Sequence, residues 1–351
     1  MIFKKGYYEK EGYNIFINQK NYRKSYNSLT NHSQISFLLG LISSFKFSNG
    51  ESIKTALEVG IYNGVTSTYM LKEGSKKNNF SLYCIEKGEE DFFGEVLLKE
   101  CSSDELKNCS INKGCTVFDI ENILKEDTKL DLVFLDAGHS HPYPLIDLIH
   151  VIPYLHDESI VLLHDVVDYM RPNAWGESFI YTDWSEYKYR TCYIDSNQEI
   201  KSETSLGYIE IPKNKEIIYE NLLKIAKIPF RASPWKIDDI YLGISKESIG
   251  KLKIFMEKYY DKKFVEEIIG IFYKNLEEYT DHWNLYHHET KFFNYLYENS
   301  QNHAERIGKL EKRNQKIEQD LKRKNKLLKE IQNSNSWKIT KPLRKIGKKL
   351  K

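Results

Sequence analysis

From about Ser33 onward, apolar residues fall into two alternating arrangements: helical spacing, and short unbroken runs. The segments "SQISFLLGLISSF" and "TSTYMLKEG" carry helical intervals, whereas "KTALEVG" and "FSLYCIE" are short and apolar enough to be buried strands. Further on, "LDLVFLD" and "SIVLLHD" read as strands separated by the helical "YPLIDLIHVIPYL". Alternation of strand and helix predicts a mainly parallel sheet covered on both faces, with ligands beyond the carboxyl ends of its strands. Two later segments, "LGYIEI" and "DIYLGIS", are expected as edge strands around the helical "KEIIYENLLKIAKI". After Lys246 strand signals cease, and "FVEEIIGIFYKNLEEY" has helical periodicity.

From Ile307 a core position recurs at alternating intervals of three and four, through Leu310, Asn314, Ile317, Leu321, Lys324, Leu328 and Ile331. That heptad pattern predicts a short coiled coil and, through it, self-association; the competing reading is an amphipathic helix folded back on its own domain. The resulting divisions are 1–32, an N-terminal extension; 33–246, the sheet domain; 247–300, a helical region; 301–333, the coiled coil; and 334–351, a basic tail.

A hydrophobic content of 40% excludes a disordered chain, and no apolar run reaches the length of a membrane-spanning helix. The opening "MIFKKGYYEKEGYNIF" lacks the features of a secretion signal, so the cytoplasm is the expected compartment. Five cysteines without a CxxC pair read as reduced structural thiols. The net charge of +2 conceals an asymmetry, since residues 302–351 carry seventeen Lys or Arg against five acids. In "SNSWKITKPLRKIGKKLK" an apolar stripe of Ile339, Leu343, Ile346 and Leu350 lies on a basic background beside Trp337. Such a tail suits peripheral contact with an anionic membrane at the inner face of the plasma membrane, and a solvated end without a partner is the alternative. No groove-reading motif accompanies the charge, which argues against nucleic acid.

The strongest local signal for chemistry is "ALEVGIYNGVTS". A buried strand runs through Glu58 into Gly60, Tyr62 and Gly64, and a helix begins near Thr66. Glycines at a strand-to-helix turn let backbone approach a ligand, and the helix start offers unpaired amide donors. The next strand ends at Glu86, where a carboxylate can accept from ribose hydroxyls. A pyrophosphate-binding turn would more often show GxGxxG; here an acid precedes GxxxG, which disfavours a nicotinamide or nucleotide-sugar enzyme and suits a cationic ligand. The other cluster, in "LDLVFLDAGHSHP" and "SIVLLHD", brings Asp136, His139, His141, His164 and Asp165 to neighbouring strand ends. His139 is the candidate general base for a hydroxyl acceptor, while His141, just before Pro142, reads as structural.

These four stretches, in this order over Ser33 to Asp168, resemble class I S-adenosylmethionine-dependent methyltransferases, specifically the group whose fourth and fifth strands end in DxxH and HD. The resemblance implies an α/β, Rossmann-like, doubly wound seven-stranded methyltransferase sheet, followed here by the helical region and coiled coil. It implies S-adenosylmethionine as cofactor, with Glu58, Gly60, Tyr62 and Gly64 around the methionine part, Glu86 on the ribose and Asp119 reaching toward the adenine amine. Macrolide-sugar O-methyltransferases, which this part is similar to, bind Mg²⁺ through strand-end acids. The matching set is Asp136, Asp165 and His164, with His164 standing where the family pair begins with an acid. A coiled coil ending in "SWKITKPLR" is similar to tails of bacterial surface-polysaccharide and flagellar-glycan enzymes. Together these imply O-methylation of a sugar or glycan-linked group, with Asp136 and His139 catalytic. The alternatives are N-methylation of an amino group on such a glycan, and an inactive methyltransferase-like scaffold that recruits glycan enzymes to the membrane.

Overall fold

In the computed structural model, residues 3–19, 21–26, 28, 30–125, 127–167, 176–230 and 244–286 are described. The elements are α1 (Tyr7–Ile17), α2 (Tyr22–Ser25), α3 (His32–Ser44), β1 (Thr55–Val59), α4 (Val65–Gly74), β2 (Ser81–Glu86), α5 (Glu95–Glu100), α6 (Ser103–Leu106) and β3 (Cys109–Lys113). There follow α7 (Ile120–Ile123), β4 (Leu130–Leu135), α8 (Tyr143–Val151), β5 (Leu155–Leu163), α9 (Gly176–Asp183), β6 (Lys188–Ile194), β7 (Ile200–Ile209), α10 (Lys215–Ala226), α11 (Lys246–Tyr259) and α12 (Lys262–Tyr286). The chain divides into two compact units, 1–280 and 281–351, and the sheet with its flanking helices belongs to the first. The predicted coiled coil, the basic tail and its membrane contact lie outside the described residues.

The strands form one seven-stranded sheet in the order β3-β2-β1-β4-β5-β7-β6. Its first five strands are parallel, β7 alone runs antiparallel to them, and β6, antiparallel to β7, runs with the first five, which gives the Rossmann-like methyltransferase fold. Apolar residues point alternately to two cores. Leu57, Val59, Val133, Leu135, Val161 and Leu163 pack with Leu145 and Leu148 of α8, Leu222 of α10 and Leu252 of α11. Ala56, Leu132, Phe134, Ile160 and Leu162 pack with Phe37 and Leu41 of α3 and Met70 of α4. Burial on both faces is why these strands read as continuous apolar runs instead of alternating ones.

One correction concerns the far end of the sheet. "LGYIEI" does enter a strand, β7, but its neighbours are β5 and β6, the latter from "KYRTCYI". The other expected edge strand, "DIYLGIS", falls on residues 239–243, which lie outside the described residues, and on Ile244 and Ser245, of which Ser245 caps α11 through its side chain.

Helices α1 and α3 cross at two glycines. A Cβ on Gly12 would lie 1.7 Å from the Ser36 carbonyl oxygen, and one on Gly40 would lie 2.0 Å from that of Tyr8. Buried Glu9 adds a polar tie, accepting from the Cys192 amide at 2.6 Å and the Tyr189 hydroxyl at 3.0 Å on β6. Gly12→Ala must therefore push two backbones apart; the expected cost is about 2–3 kcal/mol, read as a fall of roughly 5 °C or more in Tm. An unchanged melting curve would contradict this packing.

Candidate active site

Strand register places the site. Val59 pairs with Ile85 on one side and Leu135 on the other, and Leu135 pairs with Leu163. The next residues, Glu86, Gly60, Asp136 and His164, hence leave the carboxyl edge of the sheet side by side. Amides continue the ladder one step further, from Gly60 to the Ile85 carbonyl (2.9 Å), Asp136 to that of Val59 (2.9 Å) and His164 to that of Leu135 (3.0 Å).

The turn after β1 is left-handed at Gly60 (φ 86°), Tyr62 (φ 50°) and Gly64 (φ 84°). Tyr62 is the unusual member, because a side chain in this region costs energy that surrounding bonds must offset. Those bonds come from Glu86. One of its carboxylate oxygens accepts from the amides of Ile61 (3.1 Å) and Tyr62 (3.0 Å), and the other accepts from Gly88 (2.9 Å). The Tyr62 ring, half exposed, meets Phe92 edge-on at 4.9 Å. This leaves a backbone-walled turn, an aromatic lip and a carboxylate with three amides on its roughly four acceptor positions and one position open, a set that fits the amino-acid part and one ribose hydroxyl of S-adenosylmethionine.

The other predicted cofactor residues are placed differently. Glu58 is buried beneath the turn, where the Ser67 hydroxyl donates to it. Burial raises its pKa well above the ordinary range, opposed by the Ser67 bond and reinforced by Asp136, so Glu58 presents almost no surface to an arriving cation. Asp119 stands beyond the end of β3, and its carboxylate accepts from the Thr116 amide at 2.9 Å as the cap of its own turn.

Beyond β4 and β5, Asp136, His139, His164 and Asp165 converge as the sequence predicts. His164 Nδ1 lies 3.0 Å from Asp136 and 3.3 Å from Asp165. Burial would lower the pKa of the His164 ring, but Asp136 and then Asp165 outweigh it and hold the ring well above its usual value. Asp165, itself at φ 51°, is desolvated, yet the His164 bond and charge bring it down to about 2. One oxygen of each carboxylate, Asp136 Oδ1 and Asp165 Oδ1, thus faces the same imidazole nitrogen. Among the described residues no group of three or more His, Cys, Asp or Glu is arranged to hold a metal ion. With an imidazole among its three donors, the predicted set of Asp136, Asp165 and His164 does not fit the all-oxygen ligation that Mg²⁺ takes.

His139 carries the most informative contacts. Its Nδ1 is 2.8 Å from Glu177 Oε1, and its Nε2 is 3.8 Å from Asp165 Oδ2. Burial would lower this ring's pKa; Glu177, then Asp136 and Asp165, raise it to about 9. Glu177 has no counterpart in the sequence reading: it sits in "GESF", at no diagnostic spacing from the strand ends. His141 is buried, with Nε2 3.2 Å from the Ile228 carbonyl and its ring against Phe179, in keeping with a structural role.

Residues 57–166 match a family described as a methyltransferase domain. Among solved structures, the chain is similar to the O-methyltransferase TomG from Streptomyces achromogenes, in complex with SAM, at 13% identity over 60% of this chain and 92% of that one, with a TM-score of 0.41. It is also similar to an O-methyltransferase from Bacillus cereus in complex with SAH, at 11% identity over 59% and 91% of the two chains, with a TM-score of 0.37. A search of curated proteins finds no match. No helix among the described residues is long and apolar enough to cross a membrane.

Proposed function

From a methyltransferase domain with this corner beside its glycine turn, we infer that the protein moves a methyl group from S-adenosylmethionine to a hydroxyl oxygen. The observation that carries the reading is the His139 ring, bonded to Glu177 through Nδ1 with Nε2 turned toward Asp165. When bound, S-adenosylmethionine supplies an electrophilic methyl carbon on a cationic sulfur. Gly60, Tyr62 and Gly64 shape its seat, and Glu86 accepts from its ribose. His139 Nε2 takes the hydroxyl proton as the oxygen–carbon bond forms and the sulfur–carbon bond breaks; the products are a methyl ether and S-adenosylhomocysteine. Asp136 and Asp165 orient the acceptor and balance the imidazolium that results.

The acceptor class we propose is a sugar or glycan-linked hydroxyl, supported by the likeness of the C-terminal sequence to tails of surface-glycan enzymes. Mass spectrometry of surface glycans from a strain lacking the protein tests it. A component lighter by one methylene identifies the acceptor, and an unaltered glycan profile removes this class.

Calorimetric titration with S-adenosylmethionine is expected to give saturable binding; none at all would favour a scaffold over an enzyme. The rate should also report the base. With His139 at about 9, the unprotonated ring is the minor form at neutral pH. The kcat/KM value should therefore climb as pH rises, by up to roughly tenfold per unit, and level off near that value. A profile flat from neutrality upward would assign the proton to another group.

A further inference from the structure

Helix α9 is joined to the His139 loop at two successive residues. The Gly176 amide donates to the His139 carbonyl at 2.8 Å, and Glu177 then reaches His139 Nδ1 at 2.8 Å. Gly176 is required for this approach, because a Cβ there would lie 2.7 Å from Pro144 Cδ at the start of α8. Glu177 is only 1% exposed, and its second oxygen, Oε2, is buried with no hydrogen-bond partner among the described residues. An acid so placed is costly unless its one bond matters. The other groups facing this pair are Asp147 of α8, Asp136 and Asp165.

We propose that Glu177 is a positioning residue, which holds the Nδ1 proton of His139 and so keeps Nε2 as the nitrogen that receives the acceptor's proton. The inference rests on the functional reading above. A carboxylate on the far nitrogen selects the tautomer, sets the ring plane and stabilises the imidazolium formed during transfer. Without it the neutral ring is free to carry its proton on Nε2, where it cannot act as a base. Burial of Glu177 keeps water from competing for Nδ1.

The test is Glu177→Gln and Glu177→Asp in the full chain, beside His139→Ala. Glu177→Gln is expected to lower kcat by at least about 10²-fold, with the KM for S-adenosylmethionine within about twofold of wild type, and Glu177→Asp should recover part of the loss. A residue needed only for packing would lower stability and leave turnover per folded molecule unchanged. Heteronuclear NMR of the imidazole nitrogens in the wild-type protein gives a readout independent of any variant's folding. The neutral His139 ring should carry its proton on Nδ1, and a proton on Nε2 would overturn the assignment. If His139→Ala abolishes turnover while Glu177→Gln leaves it intact, the positioning role alone fails. If neither changes turnover, His139 is not the base and the positioning role falls with that assignment, while methyl transfer itself stands; absence of both S-adenosylmethionine binding and turnover in the wild-type protein is what would remove the functional reading.

Discussion

Replacing His139 with alanine is expected to lower kcat by about 10²- to 10⁴-fold, the usual contribution of a placed general base, while cofactor affinity stays near that of wild type. The separation follows from the architecture. The turn that would seat S-adenosylmethionine is built by β1, α4 and Glu86, whereas His139 stands beyond β4 and is held by the start of α9. Truncation also leaves Glu177 buried without its partner, so some loss of stability should accompany the loss of rate. Single-turnover transfer at saturating cofactor, together with calorimetry, separates the two effects. Undiminished turnover in the alanine variant removes the base assignment.

The second large effect is expected at Gly60. Its φ of 86° is costly for any residue with a side chain, and a Cβ would lie 2.2 Å from the Asp136 carbonyl oxygen and 2.6 Å from Ala137 Cα. Relief by retreat is blocked, because the Gly60 amide is bonded to Ile85 on the opposite side. Gly60→Ala should cost about 2–4 kcal/mol from left-handed strain and backbone displacement combined, and weaken S-adenosylmethionine binding at least about tenfold. Gly50 offers the comparison, since it has a similar φ of 82° with nothing within 4 Å of an added Cβ. Gly50→Ala should show the conformational cost alone, about 1 kcal/mol, with binding intact. Equal effects at the two positions would mean that the junction of β1 with β4 does not shape the seat.

What the sequence made legible, and what it did not, follows from where each residue is buried. The central strands were readable because burial on both faces demands unbroken apolar runs such as Leu132 to Leu135. The strands that close the sheet were not. β3 is "CSINK", partly exposed throughout, and β6 mixes Lys188 and Arg190 with Tyr189 and Cys192, as edge strands do when polar residues guard an open ladder. The left-handed turn at Gly60, Tyr62 and Gly64, with Glu86 bonded to its amides, is legible because a strand-to-helix turn needs particular backbone freedom. Asp136, His139, His164 and Asp165 were found because strand ends in such a sheet share one edge. Glu177 escaped because its meeting with His139 is made by tertiary packing of α9 on α8, which leaves no periodic trace. Glu58 is expected to face the cofactor because it stands just before the glycine turn; its burial and the hydrogen bond from the Ser67 hydroxyl come from tertiary packing, which the sequence position does not show.

The common rung formed by Val59, Leu135 and Leu163 bears on how such a catalyst could diverge. The proposed donor seat at Gly60 and the proposed acceptor corner at Asp136 and His164 leave the same row of the sheet, so the gap between these strand ends is gauged by interstrand spacing and not by the loops farther out. Evolution could exchange those loops, and with them the molecule being modified, without recalibrating the distance that the travelling carbon has to cross.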